Sequence, residues 1–131
     1  MDMDKKDMLE RVVKAARRAY MKGFAAGSGG NVSIRIQRQV YISPSGICLG
    51  DLTAEDMIML EADGFPPSIG EPDAGSRRPS KEAGMHLACY RSRPDILCLF
   101  HLHSPYSIAV VSSLTPRLLL KTLYFQGLHR F

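Results

Sequence analysis

The sequence predicts an α/β domain, on three observations. Met8, Leu9, Val12, Val13, Ala16, Ala19 and Tyr20 recur at helical spacing near the N-terminus, with Lys and Arg between them. Val32-Ser33-Ile34-Arg35-Ile36 alternates with period two, as a half-buried strand does. A helical stretch from Ser80 is followed by the short apolar run Ile96-Leu97-Cys98-Leu99-Phe100, bounded by Pro94-Asp95 and Ser104-Pro105, which reads as a buried strand.

Composition narrows the function classes. At 131 residues the chain is one domain or a piece of one. Hydrophobic content of 45% with 23% charged residues is that of a globular chain rather than a disordered one. The net charge of +4, without a Lys/Arg run or any tryptophan, favours small anions slightly and gives no footprint for nucleic acid. Met1-Asp2-Met3-Asp4-Lys5-Lys6 lacks the apolar core of a signal peptide, and the apolar runs are too short to span a bilayer, so no membrane partner is expected. The three cysteines, at 48, 89 and 98, are odd in number and form no Cys-x-x-Cys. Cys89 and Cys98 read as reduced packing residues of a cytoplasmic protein.

Taken in order, the first helix covers residues 4–22 and ends near Gly23. Ala25-Ala26-Gly27-Ser28-Gly29-Gly30-Asn31 follows. Its glycines allow backbone N–H groups to converge, and the Ser28 hydroxyl and Asn31 amide can help hold a phosphate; the same composition also suits a plain turn. Strands are expected at 32–36 and 40–43, then a turn at Ser43-Pro44-Ser45-Gly46. Thr53, with Asp56 three residues on, reads as a helix start. Met57-Ile58-Met59-Leu60 reads as a strand and Asp63-Gly64 as its turn. Residues 65–79 hold four prolines and two glycines, which suit a surface loop; Arg77 and Arg78 at its end can meet an anion or simply face solvent. Ser80 is read as the cap of a helix reaching Ser92, with Glu82 in its first turn and His86 a structural residue one turn on. Ser104-Pro105 opens a last helix through Ser113.

His101-Leu102-His103 closes the apolar run. On a strand, residues i and i+2 share a face, about 6–7 Å apart at the backbone. The two imidazoles can therefore converge on one metal ion, and zinc suits a His-rich site. A pair of hydrogen-bonded core histidines is the competing reading.

Gly29-Gly30-Asn31-Val32-Ser33, Ser43-Pro44-Ser45-Gly46, Pro79-Ser80-Lys81-Glu82 and His101-Leu102-His103 occur in the order that resembles the class II aldolase/adducin family, and residues 85–95 are similar to its helix there. The resemblance covers residues 8–115. It implies a three-layer α/β/α fold around a central, mainly antiparallel sheet. It also implies a zinc-type divalent cofactor, a phosphorylated sugar or sugar-acid substrate, and a homotetramer with sites near subunit interfaces. Carried over by position, His101 and His103 would be metal ligands. Glu82 would be the acid/base residue, able to contact the metal when no substrate is bound. Ser28, Asn31, Ser45, Gly46 and Ser80 would line the phosphate pocket, with Lys81 beside them. The implied activity is a lyase that cleaves a C–C bond through a zinc-stabilised enediolate.

Two departures qualify the expectation. Ser80-Lys81-Glu82 stands where many aldolases of the family have Ser-Ser-Glu, and with His-Leu-His-Ser it looks more like the branch that decarboxylates 3-oxo-tetronate 4-phosphates. Epimerisation of a pentulose phosphate uses the same scaffold. Family domains are also longer and supply a third metal histidine from a later segment. The chain is therefore read as a single domain, 1–131, incomplete at its C-terminus, with an atypical tail over 114–131. Leu123-Tyr124-Phe125-Gln126-Gly127 in that tail resembles a viral-protease cleavage site. An inactive fragment or an adducin-like interaction domain is the alternative from another class, opposed by the retention of His101, His103 and Glu82.

Overall fold

The computed structural model describes residues 4–61 and 77–113. The elements are α1 (Lys5–Met21), β1 (Asn31–Ile36), β2 (Gln39–Ile42), β3 (Ile58–Glu61), α2 (Ala83–Ser92), β4 (Cys98–His101) and α3 (Pro105–Ser113). The four strands form one antiparallel sheet in the order β3-β2-β1-β4.

Side-chain alternation divides the interior into two cores, one on each face of the sheet. On one face α1 buries Leu9, Val12, Val13 and Ala16 against Val32, Ile34, Tyr41, Leu49 and Leu52. On the other, Leu87 and Tyr90 of α2 pack with Val40, Ile42 and Leu60. Tyr41 thus faces one helix while its neighbours Val40 and Ile42 face the other, as period-two geometry requires. Helix, sheet and helix make the three-layer α/β/α arrangement expected from the sequence. Leu52, Ile42 and Leu60 have almost no exposure, so the hydrophobic effect of closing both layers holds the sheet between the helices.

Two glycines are required by geometry. Gly23 (φ +78°) ends α1: its N–H donates to Tyr20 O at 2.9 Å and that of Phe24 to Ala19 O at 3.0 Å, the paired bonds of a Schellman cap. Gly30 (φ +82°) lies so close to β4 that a Cβ there would stand 2.9 Å from the His101 carbonyl oxygen. The loop before β1 is thereby pressed onto the strand that carries the first histidine.

Several expectations need correction. Thr53 and Asp56 do form a reciprocal capping box, but they open only a three-residue 3-10 turn, Ala54–Asp56. Met57 precedes β3 rather than belonging to it. Ser80 does not cap α2. Its carbonyl accepts from Ala83 N at 3.0 Å in a turn, and Glu82 occupies the N-cap position just outside the helix. The apolar run 96–100 is half-buried rather than buried, because β4 lies at the edge of the sheet formed by the described residues, and Leu97 is 57% exposed. The Asp63-Gly64 turn, most of the 65–79 loop and the 114–131 tail lie outside the described residues.

Candidate active site

Three separate loops converge at one end of the sheet. Their backbone bonds explain how. The 43–46 turn is tied to the segment before α2 by a Pro44–Pro79 bridge, with Ser45 N donating to Arg78 O at 2.8 Å and Ser80 N to Ser43 O at 3.1 Å. Ser43 Oγ accepts from Val32 N at 3.1 Å, which fixes the turn to β1. Beyond β4, His103 N donates to Phe24 O at 3.1 Å.

The result is a cleft of about 330 Å³ whose walls include Ser28, Asn31, Ser45, Gly46, Ser80 and Lys81 together with Gly29, Gly30, Pro44, Glu82 and His103. All six residues expected to grip a phosphate thus face one space, with Glu82 and one histidine at the same space. Arg77 and Arg78 are not in its walls; Arg77 is ion-paired with Asp56. Ser80 Oγ accepts from Glu82 N at 3.3 Å, so its O–H remains free to donate toward the cleft. Lys81 is exposed at the site and supplies a positive charge.

His101 ends β4, and His103 lies two residues past it rather than on the strand. Their rings still converge, with centroids 4.7 Å apart and planes at 48°. His101 Nδ1 is bonded to a Glu82 carboxylate oxygen. A carboxylate accepts only, so Nδ1 carries the proton and Nε2 keeps its lone pair. Asn31 Nδ2 also donates to that carboxylate, at 2.5 Å. Its 3.5 Å separation from His101 Nδ1 is mere proximity, since both atoms bear hydrogen. Glu82 is held below the usual carboxylate range, chiefly by the Asn31 amide and then by His101. It is therefore ionised at neutral pH.

This donor set suits a divalent ion of the zinc type. Two nitrogens bound to one zinc lie roughly 3.3 Å apart, within reach of imidazoles this close. His101 already has its second nitrogen held by a carboxylate, the arrangement that orients metal-bound histidines. Among the described residues, no group of three His, Cys, Asp or Glu side chains is arranged as a complete metal cluster. His101 and His103 could together hold such an ion if a further ligand were supplied.

Sequence reasoning missed the polar residues behind the cleft. Asn31 was expected to offer its amide to a phosphate, but both ends of that amide are engaged. Besides Glu82, it meets His86, whose Nε2 lies 2.5 Å from Asn31 Oδ1. His86 Nδ1 is 2.6 Å from Ser33 Oγ, and Ser33 Oγ is 2.8 Å from the Tyr90 hydroxyl. The available signal was Ser33, a small polar residue at a buried strand position opposite Val32 and Ile34. Burial pushes the Tyr90 hydroxyl up to about 12, so it stays protonated.

Burial, with a smaller contribution from His101, lowers His86 to about 4 from 6.5. A depressed histidine costs stability as pH falls: both states are neutral above about 6.5, and below it only the unfolded chain takes up the proton. We expect the metal-free chain to lose roughly 3 kcal/mol between pH 6.5 and 4 from this group. Asp56 and Glu82, also depressed, add losses only below their ordinary values of 3.8 and 4.5. Urea midpoints across that window check the prediction, and His86→Gln should flatten the slope.

The fold is thus an α/β/α sandwich that carries a histidine pair, a carboxylate and a hydroxyl-lined cleft at one end of its sheet. The chain belongs to the class II aldolase and adducin N-terminal domain family, whose model matches residues 10–128. It is 41% identical over 105 residues to a 5-deoxy-D-ribulose 1-phosphate aldolase of Bacillus thuringiensis, covering 79% of this chain and 46% of that protein. It is 35% identical over 102 residues to a 3-oxo-tetronate 4-phosphate decarboxylase of Haemophilus influenzae, covering 77% and 45%. A putative aldolase/epimerase/decarboxylase from Klebsiella pneumoniae, YgbL, superposes with a TM-score of 0.73 at 30% identity, covering 88% of this chain and 54% of that one. The chain spans about half the length of the curated relatives it matches.

Proposed function

We propose that this chain carries the chemistry of a zinc-dependent lyase that cleaves a C–C bond in a phosphorylated sugar or sugar acid. The observation that carries the reading is the placement of Glu82, with its bonded His101 and nearby His103, at the same cleft as Ser28, Ser45, Gly46, Ser80 and Lys81. A zinc ion held by His101 and His103 would supply positive charge for the oxygens that become negative as the bond breaks. The serine hydroxyls, loop N–H groups and Lys81 bind the phosphate, and that remote grip positions the reacting carbons. In a ketose 1-phosphate Glu82 takes the proton of the C4 hydroxyl, the C3–C4 bond breaks with its electron pair left on the C2–C3 fragment, and an aldehyde leaves. Glu82 then returns that proton to C3 of the remaining three-carbon phosphate.

Decarboxylation is the second reading, favoured by Lys81 at the cleft. A lysine beside a bound carboxylate holds the acid in place while carbon dioxide leaves in place of the aldehyde. The relatives include both activities, and in each Glu82 would deliver the proton to the carbon left by bond cleavage, a proton that comes from the C4 hydroxyl in aldol cleavage and from water in decarboxylation. We further propose a homotetramer and a cytoplasmic location. The three cysteines are free, and no described helix is long and apolar enough to cross a membrane.

The test is a product-resolved assay of the zinc-loaded protein with 5-deoxyribulose 1-phosphate and with 3-oxo-tetronate 4-phosphate. Aldehyde with dihydroxyacetone phosphate supports aldol cleavage; carbon dioxide supports the second reading. No product from either, in a folded zinc-bound protein, supports the adducin-like alternative. In the same assay Lys81→Met should raise KM roughly tenfold through loss of one charge-assisted contact, with a smaller change in kcat.

A further inference from the structure

We propose that His86 is a positioning residue: through Asn31 it holds the Glu82 carboxylate in place, as the centre of a one-way hydrogen-bond chain that starts at Tyr90. The Glu82 carboxylate accepts only, so Asn31 must turn its NH₂ toward it, at 2.5 Å. Asn31 Oδ1 then faces His86, and a carbonyl oxygen also only accepts. His86 Nε2 must therefore carry the ring proton and donate, across 2.5 Å. With one proton on a neutral ring, Nδ1 is an acceptor, and Ser33 must donate its single O–H to it across 2.6 Å. That hydroxyl is then spent, so the 2.8 Å contact with Tyr90 has the phenol as donor. Every link is fixed by the one before it, and the charge of Glu82 sets the direction of all four.

Burial gives the chain its rigidity. His86 and Ser33 have no exposure, while Asn31 and Tyr90 are 7% and 4% exposed. Water does not compete for the three bonds behind Asn31, and each polarises the next, whereas the Asn31–Glu82 bond is part-buried at the cleft. Flipping the Asn31 amide would set its carbonyl against the carboxylate and its NH₂ against the Nε2–H, which costs one buried and one part-buried bond. Every link of the chain crosses between two elements: Tyr90 and His86 lie on α2 and Glu82 at its N-cap, while Ser33 and Asn31 lie on β1. The second core is thereby coupled to the orientation of a side chain in the cleft. Of the five residues in the hydrogen-bond network, only Asn31 and Glu82 line the cleft.

The kinetic part of the test rests on the lyase reading, whereas the geometry does not. The imidazole nitrogens of the ¹⁵N-labelled chain at pH 7.5 report which nitrogen of His86 is protonated, with assignment by His86→Gln. An Nε2–H tautomer is expected, and an Nδ1–H tautomer overturns the proposal whatever the activity. His86→Leu fills the space but cannot donate, so kcat should fall about 10–100-fold, by analogy with losing an outer-shell partner, with KM little changed. His86→Gln places an amide donor near the Nε2 position and should recover kcat to within a few-fold of wild type. Equal loss in a folded Gln variant, or full kcat in the Leu variant, overturns the proposal. If His86→Leu does not fold, the tautomer and the Gln variant decide. If the wild-type protein turns over no phosphorylated sugar, the lyase reading fails and the tautomer alone judges the chain.

Discussion

Replacing Glu82 by Gln is expected to lower kcat for cleavage of a phosphorylated sugar by about 10²–10⁴-fold, the usual contribution of a positioned acid/base group. The change is close to isosteric. Glu82 sits at the N-cap of α2 with its side chain 40% exposed and makes no cap hydrogen bond, so the variant should fold. Asn31 can still donate to the amide oxygen. What disappears is the anion that takes and returns a proton, and the acceptor that keeps the proton on His101 Nδ1. KM should change little, because the phosphate is gripped by other residues of the cleft. Steady-state kinetics on the zinc-loaded protein check this, and wild-type kcat in the variant would remove Glu82 from the chemistry.

His101→Ala and His103→Ala should each weaken zinc binding by more than the ~10–100-fold that loss of an outer-shell partner costs, because each removes a ligand outright. Both side chains are partly or wholly exposed, so truncation opens no buried cavity and the fold should persist. Competition with a zinc-binding dye on the purified chain measures the affinity. Undiminished binding in both variants would place the metal elsewhere. The two readouts are independent: the histidine variants lose metal, whereas Glu82→Gln should lose turnover even when zinc is supplied in excess.

The fold was legible wherever one periodicity dominated. The α1 stripe, the β1 alternation and the Ser104-Pro105 helix start each have a local cause, and each appears within a residue or two of where the pattern puts it. The errors fall where tertiary contacts decide. Ser80 looks like a cap, yet the Pro44–Pro79 bridge draws its backbone to Ser43 and delays the helix to Ala83. The apolar run before His101 looks like a buried strand, but its place at the sheet edge is set by pairing with β1, which no local pattern reveals. At the candidate site, the ordered motifs named residues that share one cleft. They did not reveal that the Asn31 amide is committed to Glu82 and His86, because the bonds span 51 and 55 residues of sequence.

The most direct measurement is turnover of a phosphorylated sugar by the purified protein before metal removal, after stripping with a chelator, and after adding zinc back. The account predicts release of a cleaved product that falls to background on stripping and returns at about one zinc per chain. Cleavage that continues unchanged in the metal-free protein would contradict it, as would a chain that binds zinc at His101 and His103 and cleaves no phosphorylated sugar or sugar acid.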